Sequence, residues 1–192
     1  MITVIIPSTG RDRLKFSLLS LLNQTNPNWR CIVAFDNVNG DAVQLVKDER
    51  ISYIFLPEKL GDGFNGGGEV RNKAIEKANT EWICFLDDDD SFKPDYFEKF
   101  YSEVENNPNA DVIIFKMIYS HGGVLPPPGL KEIIFCQVGI SFAVKLNYLF
   151  VNDLKFENSP AEDFKLLTNL KASGANIHFS DHVVYNVGFS NI

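Results

Sequence analysis

The stretch that most constrains this chain is Trp82-Ile83-Cys84-Phe85-Leu86-Asp87-Asp88-Asp89-Asp90. An apolar run ends abruptly in consecutive carboxylates. The run is short and rich in aromatic and branched side chains, which predicts a buried strand. Adjacent aspartates repel one another at close range, so positive charge is expected beside them, most simply a divalent cation. Hard cations take carboxylate oxygens and often share themselves with a substrate phosphate. In open α/β sheets, ligands bind outside the carboxyl ends of the strands, which is where this run falls. The plainer reading is a loop whose Asp90 or Ser91 caps the next helix, but one cap does not need four carboxylates.

The rest of the chain supplies a frame for that strand. Ile2 to Ile6 predicts a buried strand stopped by Pro7, and Ser8-Thr9-Gly10 a turn. Leu14, Leu18, Leu21 and Leu22 recur at helical spacing between about Arg11 and Asn23. Arg30 to Phe35 reads as a second strand ending in Asp36-Asn37, and Asp41 as the cap of a helix through Lys47. Ile51 to Leu56 is a third strand. Strands separated by helices predict a parallel sheet with right-handed crossovers, whose strand ends share one edge.

Next comes Leu60-Gly61-Asp62-Gly63-Phe64-Asn65-Gly66-Gly67-Gly68, five glycines in nine residues, which reads as a mobile loop or one whose backbone approaches a ligand. It lacks the Gly-Lys-Ser/Thr of a P-loop. Glu69 to Asn79 predicts a helix with Arg71 in its first turn, as a solvated residue or one facing the loop. Pro94 suits the first turn of a helix running to Asn106, and Asp111 to Tyr119 is a further strand. Beyond residue 120 the alternation stops. Glu132 to Val138, Ile140 to Val144, Ile177 to Phe179 and Val183 to Val187 read as short strands. Leu146 to Phe150 reads as a short helix. Ser159 and Pro160 look like the cap and first residue of a helix that Gly174 closes.

Composition narrows the partners. A net charge of -7 disfavours nucleic acid and anionic membranes. Cys31, Cys84 and Cys136 are odd in number, far apart and set in apolar runs, so they read as buried free thiols in a reducing compartment. The start of the chain lacks a basic n-region, and no apolar run reaches membrane-spanning length. The expected location is cytoplasmic, or peripheral to a membrane carrying the acceptor.

Four passages together resemble the family 2 glycosyltransferases of the GT-A fold: Val4-Ile5-Ile6-Pro7-Ser8-Thr9-Gly10-Arg11, Ala34-Phe35-Asp36-Asn37, Val70-Arg71-Asn72-Lys73-Ala74 with the acidic strand and Pro94, and Glu162-Asp163. The resemblance implies a Rossmann-like, mainly parallel central sheet flanked by helices, over a single domain of residues 1–192. Residues 1–120 would bind a nucleotide sugar, with a UDP-sugar favoured, and 121–192 would form a small acceptor side. It further implies that Pro7, Ser8, Thr9 and Arg11 line the base pocket, that Asp36 holds base or ribose, and that Asp88 approaches ribose or diphosphate. Asp89 would bind Mn2+ or Mg2+. The register of a DXD within four aspartates is open, so Asp87 stands as both donor and metal residue. Arg71 would neutralise donor charge, and Asp163 would be the base of an inverting single displacement onto a glycan, lipid-linked or other hydroxyl acceptor. No late Gln-x-x-Arg-Trp is present, which disfavours a processive synthase. His178 and His182 are candidates for an extra metal ligand but are more simply structural.

Two rivals bear on the same residues. Asp87-x-Asp89-x-Ser91 also resembles the nucleophile motif of haloacid-dehalogenase-like phosphatases, in which Asp87 would attack phosphorus. A module that binds the nucleotide sugar without turnover is the non-enzyme alternative, and it would not require Asp163.

Overall fold

The computed structural model describes residues 1–40, 46–61 and 67–188 of the 192. The helix expected from Asp41, and residues 62–66 of the glycine loop, lie outside the described residues. In chain order, β1 (Ile2–Ser8) leads through α1 (Leu14–Leu22) to β2 (Trp29–Asp36) and β3 (Ile51–Leu56). Then come α2 (Gly68–Ile75), β4 (Trp82–Phe85), β5 (Ser91–Phe92) and α3 (Tyr96–Asn106). The remainder is β6 (Val112–Tyr119), β7 (Val124–Leu125), β8 (Phe142–Lys145), α4 (Leu146–Val151), α5 (Glu162–Ala172) and β9 (Ile177–Val187).

The strands form one sheet in the order β3-β2-β1-β4-β8-β6-β9-β5, with β7 on β6. The first four run parallel, as the βαβ alternation predicts, and β9 runs parallel to β6. β8 is antiparallel to both its neighbours. The chain steps outward from β1 to β2 and β3, then returns to place β4 on the other side of β1. That reversal opens a crevice at the carboxyl ends of β1 and β4, the place where such sheets bind ligands. Ile5 sits opposite Phe85, and the Leu86 N–H donates to the Ile5 carbonyl at 3.1 Å, so the aspartates emerge beside Pro7 and Ser8.

Hydrophobic burial holds this register. Ile2, Val4, Ile5, Val33, Ile83 and Phe85 are fully buried, as parallel strands covered on both faces require. An aromatic layer joins α3 to the sheet. Phe97 stacks on Trp29 with centroids 5.9 Å apart, and Phe100 meets Trp82 edge-on at 5.6 Å. Cys31 and Cys84 are buried here, and burial pushes the Cys84 thiol up to about 12, so neither is a ready nucleophile.

Several sequence expectations are corrected. Cys136 is exposed, not buried. Glu132 to Val138 is not a strand: Gln137 closes a turn onto the Ile134 carbonyl at 3.0 Å, and Cys136 has a left-handed φ of 60°, which breaks the pleat. The two last strands are one, β9, whose register against β6 shifts on either side of Lys116. Helix α5 starts at Glu162 behind Ala161, which takes a φ of 56°, so Ser159 and Pro160 precede it and provide neither cap nor first turn. The Ser159 hydroxyl instead accepts from Lys165 Nζ at 2.8 Å. Pro94 likewise falls in the turn before α3. Gly174 does close α5, with a φ of 89°.

Phe97→Ala tests the aromatic layer. Its ring is fully buried between Trp29 and Phe92, so truncation is expected to cost about 3–5 kcal/mol in urea unfolding. A loss below about 1 kcal/mol would show that the layer does not hold α3 to the sheet.

Candidate active site

The ends of β1, β2 and β4 converge on one cleft of about 290 Å³. Pro7, Ser8, Thr9 and Arg11 line it from β1, Asp36 from β2, and Asp87, Asp88 and Asp89 from the end of β4. All eight were expected there from the sequence. Lys59, Val70 and, from the two ends of the glycine loop, Gly61 and Gly67 complete the described wall, and Lys59 and Val70 were not anticipated. Arg71 and Asp163, the remaining expected site residues, are not part of this wall.

The aspartates have different partners. The Ser8 hydroxyl donates to Asp88 Oδ2 at 2.7 Å, across the crevice between β1 and β4. Burial raises the Asp88 pKa, opposed by Ser8 and Arg11. Arg11 Nη1 lies 3.1 Å from Asp89 Oδ2 and 3.5 Å from Asp88 Oδ1. Asp90 is turned inward, where it accepts from the Tyr185 hydroxyl and the Gly188 N–H, both at 2.7 Å. Burial and then the Asp87 charge push Asp90 up to about 7. Tyr185 also accepts from the Asp87 N–H at 3.2 Å, so β9 supports the acidic turn from behind. Neither Asp90 nor Ser91 caps a helix, since α3 begins behind Asp95.

Arg71 decides the arrangement. Its side chain is 2% exposed, so it is a buried cation and not a solvated helix residue. Nη2 donates to Asp87 Oδ1 at 2.5 Å and Nη1 to Glu162 Oε1 at 2.7 Å. The guanidinium also lies 5.4 Å from the centre of the Phe156 ring. Next to it, Asn72 donates to the Phe156 carbonyl at 2.8 Å and accepts the Phe156 N–H at 3.0 Å. Arg71 thus fastens the end of β4 to the start of α5, and Asn72 fastens α2 to the chain before α5. Gly68 permits the approach, since a Cβ there would come within 3.0 Å of the Glu157 carbonyl. The role of Glu162 was not anticipated, because its partner is 91 residues away. Asp163 follows it directly. Its Oδ1 accepts the Phe164 N–H at 2.7 Å, and burial raises its pKa, with the Asp87 charge adding to the rise.

Asp36 acts through the backbone. Its two oxygens accept the Leu60 and Gly61 N–H groups at 2.6 and 2.9 Å, which fixes the rim beside Lys59. Gly67, at a φ of 86°, brings backbone against Pro7, where a Cβ would lie 3.3 Å from the proline Cβ. His178 and His182 lie away from the cleft, both directed at Glu103, at 3.0 and 3.8 Å.

With this geometry in view, comparison with known proteins decides the family. The family model described as "Glycosyl transferase family 2" matches residues 3–162. The chain belongs to glycosyl transferase family 2. Among relatives of this family-2 chain, the uncharacterized glycosyltransferase MJ1057 of Methanocaldococcus jannaschii is 30% identical over 178 residues, covering 88% of this chain and 57% of that protein. The GalNAc(5)-diNAcBac-PP-undecaprenol beta-1,3-glucosyltransferase of Campylobacter jejuni is 34% identical over 95 residues, covering 46% of this chain and 29% of its own. The chain spans 37% to 57% of the length of three curated relatives it matches. In structure it resembles S. aureus TarS 1-349 in complex with UDP-GlcNAc, with TM-score 0.78, 19% identity and coverage of 97% and 58% of the two chains. That likeness bears out the GT-A fold. The phosphatase alternative, with Asp87 as nucleophile, gives way to this membership. No helix among the described residues is long and apolar enough to cross a membrane.

Arg71→Met tests the clasp. It leaves Glu162 buried without its cation, so a loss of about 3–5 kcal/mol is expected at about pH 7. Burial already raises the Glu162 pKa, so the penalty should shrink in acid as Glu162 gains its proton. A loss independent of pH, measured by denaturant unfolding, would show that packing and not charge is what Arg71 supplies.

Proposed function

We propose that this chain transfers a sugar from a nucleotide-diphosphate sugar, a UDP-sugar, to an acceptor hydroxyl, by a metal-dependent inverting single displacement. The observation that carries the reading is the convergence of Ser8, Arg11, Asp36 and Asp87 to Asp89 on one cleft, with Asp163 next to Glu162, which Arg71 ties to Asp87. Asp36 and the rim at Lys59 to Gly61 would receive the nucleoside. Asp88 would face ribose or diphosphate, and Arg11, 54% exposed, can turn from Asp89 to a phosphate.

The residues fit a shared cation. Asp87 and Asp89 each keep about a third of the side chain exposed at 35%, and both face the cleft. Among the described residues no group of three His, Cys, Asp or Glu side chains forms a cage. Such a donor set suits Mg2+ or Mn2+ completing its shell with water and phosphate oxygens. When bound, the cation would offset the charge developing on the departing diphosphate. In this reading Arg71 serves donor charge indirectly, by setting Asp87.

Asp163 would take the acceptor proton. Its raised pKa brings it closer to what a general base near neutral pH requires. The ionised form is the active one, so the rate should fall as pH drops through that raised pKa and level off above it. The acceptor side takes support from the Campylobacter relative, whose name specifies a saccharide on undecaprenyl diphosphate. The location proposed is cytoplasmic or peripheral to a membrane.

Calorimetry and turnover on two variants test the reading, once a thermal-shift panel of nucleotide sugars with and without manganese has found the donor. Asp163→Asn should keep metal-dependent nucleotide binding within a few-fold and lower turnover by roughly a hundredfold or more. Asp89→Asn should weaken nucleotide binding itself, with only partial recovery at high manganese. Normal turnover by Asp163→Asn would remove the base assignment. Unchanged metal dependence in Asp89→Asn would move the metal elsewhere.

A further inference from the structure

Beside Asp163 stands an exposed aromatic side chain that the donor chemistry does not use. The turn from Ile134 to Gln137 carries Phe135 at its corner, 59% exposed. Its ring packs edge-on against Phe164, with centroids 5.2 Å apart and planes at 71°. Phe164 in turn gives its N–H to Asp163. From the same segment, a Cβ on Gly139 would lie 3.5 Å from Asp163 Oδ2. The segment from Ile134 to Gly139 therefore passes close to Asp163, with Phe135 against its neighbour Phe164 and Gly139 against the carboxylate. The Phe135 ring is thus an exposed apolar surface one residue contact away from Asp163.

The chemistry of the two groups selects one class of occupant. A pyranose ring has an apolar C–H face and a rim of hydroxyls. An aromatic ring takes the face, and an adjacent carboxylate takes a rim hydroxyl. We infer that Phe135, backed by Phe164, is the platform on which the acceptor's sugar ring stacks, so that the acceptor is a pyranose-terminated saccharide. This rests on the function proposed above and names its acceptor class. A hydrocarbon chain fits less well. The exposed apolar surface of the turn is only Ile134 and Phe135, too small for a lipid-binding patch, and a hydrocarbon would offer no hydroxyl to the carboxylate near it.

The test is saturation-transfer NMR on the whole chain with UDP and manganese, using methyl pyranosides of glucose, galactose and their N-acetylamino forms, with ribitol and farnesyl phosphate as ring-free probes. At least one pyranoside should receive saturation on the protons of one ring face, and the ring-free probes should not. Phe135→Ala should abolish that signal, Phe135→Trp should keep it, and calorimetric UDP binding should report that the fold is intact in both. In turnover, Phe135→Ala should raise the KM for the pyranoside about tenfold, with kcat changed far less. Saturation of no pyranoside, equal saturation of ribitol or farnesyl phosphate, or a wild-type KM in Phe135→Ala would overturn the inference. A wild-type chain that binds and hydrolyses no nucleotide sugar would instead overturn the proposed function, a failure read without reference to Phe135.

Discussion

A buried guanidinium holds this protein's chemistry together. Arg71 is removed from water, and a cation in that position persists only if carboxylates meet it. Those carboxylates are Asp87, at the end of β4, and Glu162, at the start of α5. The donor face of the cleft and the helix bearing Asp163 are thereby referred to one side chain. The neighbouring Asn72, hydrogen-bonded in both directions to the Phe156 backbone, fastens α2 to the segment before α5 as well. A polar cluster of this kind adds less to net stability than to geometry, because replacing it with apolar residues would cost little while leaving Asp87 and Asp163 unreferenced to each other.

The acidic run makes sense in that light. Its mutual repulsion is relieved mostly by the protein itself. Arg71 holds Asp87, Ser8 and Arg11 hold Asp88, Arg11 holds Asp89, and Tyr185 with the Gly188 N–H holds Asp90. Repulsion among the four still acts, since the Asp87 charge helps push Asp90 up to about 7. Asp87 and Asp89 line the cleft and keep part of their side chains exposed, as does Arg11. A substrate phosphate with its metal would displace Arg11 from Asp89 and use both charges at once.

The first half of the chain was legible because its signals are local. Ile2 to Ile6, Arg30 to Phe35 and the acidic strand are apolar runs ended by polar residues, and parallel register alone then brings Pro7, Asp36 and Asp88 to one edge. Residues 120 to 188 were harder because their structure is set by long-range pairing. The run from Glu132 to Val138 has the composition of a strand yet no partner strand, and it turns at Cys136. β9 reads as two pieces because its register shift against β6 is invisible in either sequence. Glu162 and Tyr185 take their roles from partners 91 and 95 residues away, which no spacing rule reaches. Arg71 was visible as a residue, but its burial was not.

The central claim is that one carboxylate on the far face of the sugar activates the incoming hydroxyl, and stereochemistry reports this directly. Water can stand in for the acceptor. With an α-linked UDP-sugar and manganese, proton NMR during the first minutes of hydrolysis identifies the anomer released before mutarotation. The account predicts the β anomer, formed by the wild-type chain and lost in Asp163→Asn. Release of the α anomer, or the same anomer at the same rate from Asp163→Asn, would contradict it.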